Sequence, residues 1–238
     1  MIADPPLVGA PLFLLDYDGT LAPIVERPEA AAPHPEVPPL LRTLAARHPL
    51  WILTGRKVDD LARLLPLPGV TAIGVHGLEE GELTGGSPVA SRLGDEAARL
   101  LDEARAALPA LPDGSRVEDK GTAIAVHYRG VPDAEAARGV LRAWTGSLPE
   151  GLDSIWGKMV VEVRPAGFNK GSAAAGIAAR HQGHTPVMIG DDTTDEDAFG
   201  QLRGASAVTS KVGAGETAGR YRLADVDAVV GYLKRYLV

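Results

Sequence analysis

The chain has 238 residues, room for one large domain or a medium domain carrying an insertion, and no cysteine, which excludes disulfides, thiolate metal sites and cysteine nucleophiles. Its net charge of -7 argues against broad nucleic-acid binding, which needs a basic surface to displace counterions. Met1 to Pro11 shows no cationic segment followed by an apolar stretch, and no apolar run reaches the length of a membrane span, so the expectation is a cytoplasmic protein with no signal peptide and no membrane partner.

The first strong signal is the apolar run Pro11-Leu12-Phe13-Leu14-Leu15, which reads as a buried parallel strand because it ends at once in a polar, glycine-containing turn. That turn opens with Asp16 and Asp18. Alternate residues of an extended segment face the same way, so both carboxylates can address one site beyond the carboxyl end of the strand, where open parallel sheets bind ligands. Gly19 permits the tight turn that follows. The same four residues also suit a plain loop.

Pro28 to Pro39 reads as a loop leading into a helix over Glu36–His48, followed by a second buried strand at Leu50–Leu53. Thr54-Gly55-Arg56 stands at its end, ahead of a helix over Lys57–Leu65. Two readings are open for Thr54: a hydroxyl that helps backbone N–H groups hold an anion, or an N-cap, the simpler of the two in isolation.

The middle of the chain changes character. A helix is expected over Ser91–Leu108, strands over Ser115–Lys120 and Thr122–Arg129, a helix over Asp133–Thr145, and strands at Ser154–Trp156 and Met159–Arg164. This α+β layer, with antiparallel pairing, reads as a cap over residues 86–164 inserted into a core made of residues 1–85 and 165–238, with Gly81–Ser87 and Pro165–Gly167 as hinges. Within it, Glu118 and Lys120 fall at two-residue spacing, and Lys158 and Glu162 share one strand face with Val160 between them. Met159, Val161 and Val163 face the other way, toward the cap helices. The polar set is either a binding face or a solvated face of surface ion pairs.

The strand–helix pattern then resumes. Lys170 opens a helix over Lys170–His181, where a cation opposes the macrodipole and needs another reason to be present, such as a nearby phosphate. A third buried strand, Thr185–Ile189, runs into Gly190-Asp191-Asp192-Thr193-Thr194-Asp195-Glu196-Asp197, the densest acidic cluster in the chain. Carboxylates gathered at one strand end repel each other unless a cation neutralises them, and a hard divalent ion, magnesium first, suits oxygen ligands. Asp191 and Asp192 are assigned to the site. Asp195 is open between the site and the start of a helix over Thr194–Leu202, and Glu196 and Asp197 belong to that helix start. A last helix is expected over Val226–Tyr236. Strands alternating with helices give an α/β, doubly wound parallel sheet of Rossmann type.

Taken together and in this order, the four motifs at Asp16, Thr54, Lys170 and Asp191 resemble those of the haloacid dehalogenase-like (HAD) superfamily. Longer strings resemble its trehalose-6-phosphate phosphatase family: Leu15–Ile24, Gly74–Glu79, Val117–Lys120, Ala125–Arg129, Val161–Pro165 and Gly190–Phe199. Thr54 stands where related enzymes often carry serine, which keeps the hydroxyl.

The resemblance implies a magnesium-dependent phosphatase of trehalose biosynthesis in which Asp16 is the nucleophile and Asp18 the general acid and base. Thr54 and Lys170 would hold the phosphoryl charge. Magnesium would sit on the Asp16 carboxylate, the Asp18 carbonyl and Asp191, with Asp192 and Asp195 behind it. Gly55, Arg56, His76, Gly77, Glu118, Lys120, Arg129, Lys158 and Glu162 would contact substrate, with cap closure excluding water. The expected partner is a small-molecule sugar phosphate met by a monomer. A phosphatase for sucrose-phosphate or mannosyl-phosphoglycerate, a sugar-phosphate mutase, and a phospho-receiver domain share parts of the pattern.

Overall fold

The computed structural model describes residues 4–204 and 206–237. Met1–Ala3, part of the segment read for a signal peptide, lie outside the described residues. The chain divides into two compact units, Met1–Ala90 with Asn169–Val238, and Ser91–Phe168.

The first unit is built on an eight-stranded sheet. Its strands are β1 (Pro11–Leu15), β2 (Leu50–Leu53), β3 (Leu67–Gly74), β4 (Glu79–Leu83), β5 (Val89–Ser91), β10 (Thr185–Gly190), β11 (Val208–Val212) and β12 (Tyr221–Leu223), in spatial order β12-β11-β10-β1-β2-β3-β4-β5. All pairings from β12 across to β3 are parallel, and β4 returns antiparallel to β3. Alternation along β1 explains the layers. Phe13 and Leu15 face a cluster with α1 (Val37–Ala45), α2 (Val58–Leu64) and α7 (Val226–Lys234), whereas Leu12 and Leu14 face one with α5 (Lys170–Arg180) and α6 (Thr193–Gln201). Both faces are covered, so β1 reads as an unbroken apolar run rather than an alternating one. Each fully buried Leu or Phe in it contributes about 1.5–3 kcal/mol.

From β1 the chain winds one way through β2 and β3, and after the second unit it returns on the other side through β10 and β11. The sense of winding therefore reverses between β1 and β10, and the crevice at their carboxyl ends is where an open sheet offers a ligand site.

Five strands carry no plain signal in the sequence. In β3, Pro68 and Gly69 look like a turn, and the structure absorbs them as an irregularity between Leu67 and Thr71. β4 reads Glu-Glu-Gly-Glu-Leu, β5 and β12 have three residues each, and β11 mixes Thr209, Ser210 and Lys211 among its valines. Gly81, expected to begin a hinge, lies inside β4, where a Cβ would come within 3.2 Å of Val58 and Val89 side chains.

The second unit is a four-stranded antiparallel sheet, order β6-β7-β9-β8, from β6 (Arg116–Asp119), β7 (Ile124–His127), β8 (Leu152–Gly157) and β9 (Val160–Pro165). Helices α3 (Asp95–Ala106) and α4 (Ala134–Gly146) pack Leu101, Ala104, Leu141 and Trp144 against Ile124, Val126, Val161 and Val163. Trp144 Nε1 donates to the Ala104 carbonyl at 3.1 Å and so ties the two helices together. Asp133 caps α4 by accepting the Ala136 N–H at 2.9 Å. Among the described residues no helix is long and apolar enough to cross a membrane.

Candidate active site

The cavity at the β1–β10 crevice has a volume of about 300 Å³ and is lined by Asp16, Asp18, Ile24, Gly55, His76, Lys170, Asp191, Asp192 and Thr194. Asp16 follows β1 directly, its N–H bonded to the Ile189 carbonyl of β10 at 2.9 Å. Lys170 crosses to it from the first turn of α5: its ammonium lies 2.6 Å from Asp16 Oδ1 and 2.9 Å from Asp195 Oδ1. All three side chains are buried. The helix start that should repel a lysine is thus offset by two carboxylates. Asn169 and Ser172 form a capping box that fixes where α5 begins.

Asp195 settles its two open readings by serving both. It is the third residue of α6, and its Oδ2 accepts the N–H groups of Asp191 and Asp192 at 3.1 and 3.0 Å. With Oδ1 on Lys170, both oxygens are occupied, so Asp195 anchors the loop. Asp192 caps α6 from an exposed position, accepting from Thr193 N at 2.6 Å. Glu196 turns away from the cavity to Ala218 N at 2.7 Å and Thr217 Oγ1 at 3.2 Å.

Two glycines let the carboxylates approach. At Gly19, with φ of +75°, an added Cβ would stand 2.1 Å from Asp191 Oδ2, and at Gly190 one would stand 2.2 Å from Asp195 Cγ. No side chain fits at either position. The His76 ring lies against Gly55, where a Cβ would come within 2.6 Å of it. Val75 and His76 both adopt left-handed φ, 45° and 53°, which is costly for a β-branched residue. Their N–H groups are held by the Arg56 and Thr54 carbonyls at 2.9 and 3.0 Å. Gly77, at φ +125°, faces the Asn169 backbone.

The second motif reaches Asp18 directly. Arg56 grips Asp18 with two bonds, Nε to Oδ2 at 2.7 Å and Nη2 to Oδ1 at 2.6 Å, and its Nη1 reaches the Pro28 carbonyl at 2.8 Å. Thr54 is not an N-cap: α2 begins at Val58, three residues beyond the point Thr54 could cap, and Thr54 Oγ1 accepts the Arg56 N–H at 3.1 Å. The Val58 N–H is taken instead by Glu79 Oε2 of β4 at 2.9 Å, a contact the sequence does not signal.

Burial first, then the charges of Asp195 and Asp191, push the Asp16 carboxyl up, while Lys170 opposes them. Asp191 is pushed up to about 6, by burial first and then by Asp195 and Asp192. Burial alone would lower Lys170, but Asp16 and Asp195 outweigh it and hold the ammonium above its ordinary value. Lys170 bonds Asp16 and Asp195, and although Lys170 and Lys211 both oppose the rise at Asp191, burial and the neighbouring carboxylates outweigh them, so the cluster stays short of positive charge. Asp16, Asp191 and Asp195 each offer an oxygen within 4.8 Å of the others. An all-oxygen, charge-deficient set fits a hard divalent cation.

The family model described as trehalose-phosphatase matches residues 14–227, from the strand before Asp16 through the start of α7. The chain belongs to the trehalose-phosphatase family. It is similar to the trehalose-6-phosphate phosphatase of Escherichia coli K12, 32% identical over 97% of this chain and 88% of that one. It is 34% identical to the trehalose-phosphate phosphatase of Mycobacterium avium over 82% of this chain, and it spans about half (52%) of that longer relative. A solved trehalose-6-phosphate phosphatase related protein superposes with a TM-score of 0.73 at 30% identity, covering 94% of this chain and 96% of that one.

The polar set expected in the second unit is arranged by strand pairing. Glu118, Ala125 and Glu162 are cross-strand neighbours on β6, β7 and β9, so Glu118 and Glu162 share the face opposite the helices. Lys120 Nζ lies 2.6 Å from Glu162 Oε2, both side chains nearly buried, and His127 Nε2 lies 2.9 Å from Glu118 Oε2. Lys158 does not share that face by strand periodicity. It is exposed in the tight turn between β8 and β9, where Met159 takes φ 65°, and β9 begins only at Val160. Arg129 is exposed in the turn after β7, which ends at His127.

Proposed function

We propose that this chain hydrolyses trehalose 6-phosphate to trehalose and phosphate through an aspartyl-phosphate on Asp16. The observation that carries the reading is the Lys170 ammonium bridging Asp16 and Asp195 across from Asp191, in a chain of the trehalose-phosphatase family. An Asp16 carboxylate oxygen attacks phosphorus, the bond from phosphorus to the sugar oxygen breaks, and Asp18 gives that oxygen its proton. Asp18 then takes a proton from water, whose oxygen attacks the aspartyl-phosphate; phosphate leaves and the Asp16 carboxylate returns. Proton donation requires Arg56 to release at least one Asp18 oxygen, because it occupies both. Lys170 stays charged throughout and faces the phosphoryl oxygens, with Thr54 and the Gly55 backbone beside them.

Magnesium would be held by the carboxylates of Asp16 and Asp191 and the carbonyl of Asp18. When bound, it would supply the missing positive charge and let an anionic nucleophile meet an anionic phosphate. The test is phosphate release from a panel of sugar phosphates with and without chelator. Trehalose 6-phosphate should be the best substrate, EDTA should stop turnover, and excess magnesium should restore it. Full activity in excess chelator would refute the metal reading, and a different best substrate would refute the sugar.

Sugar choice is assigned to the second unit, whose Glu118 and Glu162 share one sheet face and take no part in the phosphate chemistry. Carboxylates accept from sugar hydroxyls and ammonium groups donate to them. Glu118→Ala and Glu162→Ala should each lower kcat/KM for trehalose 6-phosphate by roughly 10- to 100-fold, the value of a hydrogen bond to a charged group. Both should keep most of their activity on p-nitrophenyl phosphate, which needs only the phosphate site. Equal losses on both substrates would make these pairs part of the sheet's stability and not of its recognition.

A further inference from the structure

A buried cation on β11 takes no part in the steps above. Lys211 is 7% exposed, its Nζ donates to the Asp191 carbonyl, and it lies 3.8 Å from Glu196 Oε1. Burying an ammonium is costly unless it is paired, so both of its partners matter. The carbonyl it holds belongs to the peptide between Asp191 and Asp192. The N–H of that same peptide goes to Asp195 Oδ2 at 3.0 Å. One peptide plane is therefore gripped at both polar ends by buried side chains from two elements, β11 and α6. Glu196 is itself held by Ala218 N at 2.7 Å, so the lysine's counter-charge is fixed too.

We propose that Lys211 is a positioning residue that locks the Asp191–Asp192 peptide and so keeps the Asp191 carboxylate over Gly19, facing Asp16. This rests on the reading of Asp16 and Asp191 as the magnesium site. Two effects of Lys211 on a nearby cation have opposite signs. As a positive charge it repels magnesium, whereas as a clamp it holds a ligand in place. Removing it would tighten binding if charge dominated and weaken it if the clamp dominates.

Calorimetric titration of the full chain with magnesium alone separates these. Lys211→Met and Lys211→Thr, neither of which can reach the carbonyl with a donor, should each bind magnesium about tenfold more weakly than the unchanged chain, the usual penalty for losing a group that orients a metal ligand. Thermal melting identifies folded protein. If Met at this site prevents folding, the shorter Thr variant, whose residue type β11 already carries at Thr209, has the same expectation. Unchanged or tighter binding by a folded variant would overturn the clamp. Absence of magnesium binding by the unchanged chain would overturn the metal reading itself, a different result from a bound metal indifferent to Lys211.

Discussion

Asp16→Asn should fold normally and lose turnover by at least about 10⁴-fold, the scale on which removal of a covalent nucleophile is felt. The amide has nearly the shape of the carboxylate and can still accept from Lys170, which keeps Asp195 as its ionic partner. The substitution also removes one of three crowded carboxylates, two of which the crowding and burial already push up. Folding stability should therefore hold, and thermal melting together with phosphate release measures both sides. Substantial turnover by a well-folded variant would remove the covalent step.

The second large effect is expected at Asp18. Asp18→Asn should cost roughly 10² to 10⁴ in rate, the range for loss of general acid–base catalysis. Asn cannot deliver a proton to the leaving sugar or take one from water. Arg56 keeps its bond to the Pro28 carbonyl at 2.8 Å, so the loop around it should stay in place. A good leaving group such as p-nitrophenolate needs no acid but still needs the base, so part of the loss should persist on p-nitrophenyl phosphate. A loss below about tenfold on trehalose 6-phosphate would assign the proton transfers elsewhere.

What the sequence makes legible follows from what each signal depends on. β1, β2 and β10 are readable because strands covered on both faces need unbroken apolar runs, and their polar ends coincide with the site. β4 is hidden because a Glu-Glu-Gly-Glu segment resembles a solvated turn; one of those acids, Glu79, caps α2 across the sheet. Thr54 stays open in the sequence because an N-cap and a turn hydroxyl look alike in one dimension, and only the start of α2 at Val58 separates them. Lys158 misleads because period-two counting assumes a strand through a residue that the structure places in the β8–β9 turn. The Arg56–Asp18 pair spans 38 positions and the Lys211–Asp191 contact 20, and neither has a local pattern to announce it. A lysine inside the otherwise strand-forming run Val208–Val212 was the one available hint of the latter.

The most direct test of the whole account is a rapid acid quench of the unchanged chain turning over trehalose 6-phosphate radiolabelled at phosphorus, followed by peptide mapping. Label should be bound covalently to the peptide containing Asp16, absent in Asp16→Asn and lost on addition of unlabelled substrate. Turnover with no label on protein at any quench time, or label on a peptide lacking Asp16, would contradict it.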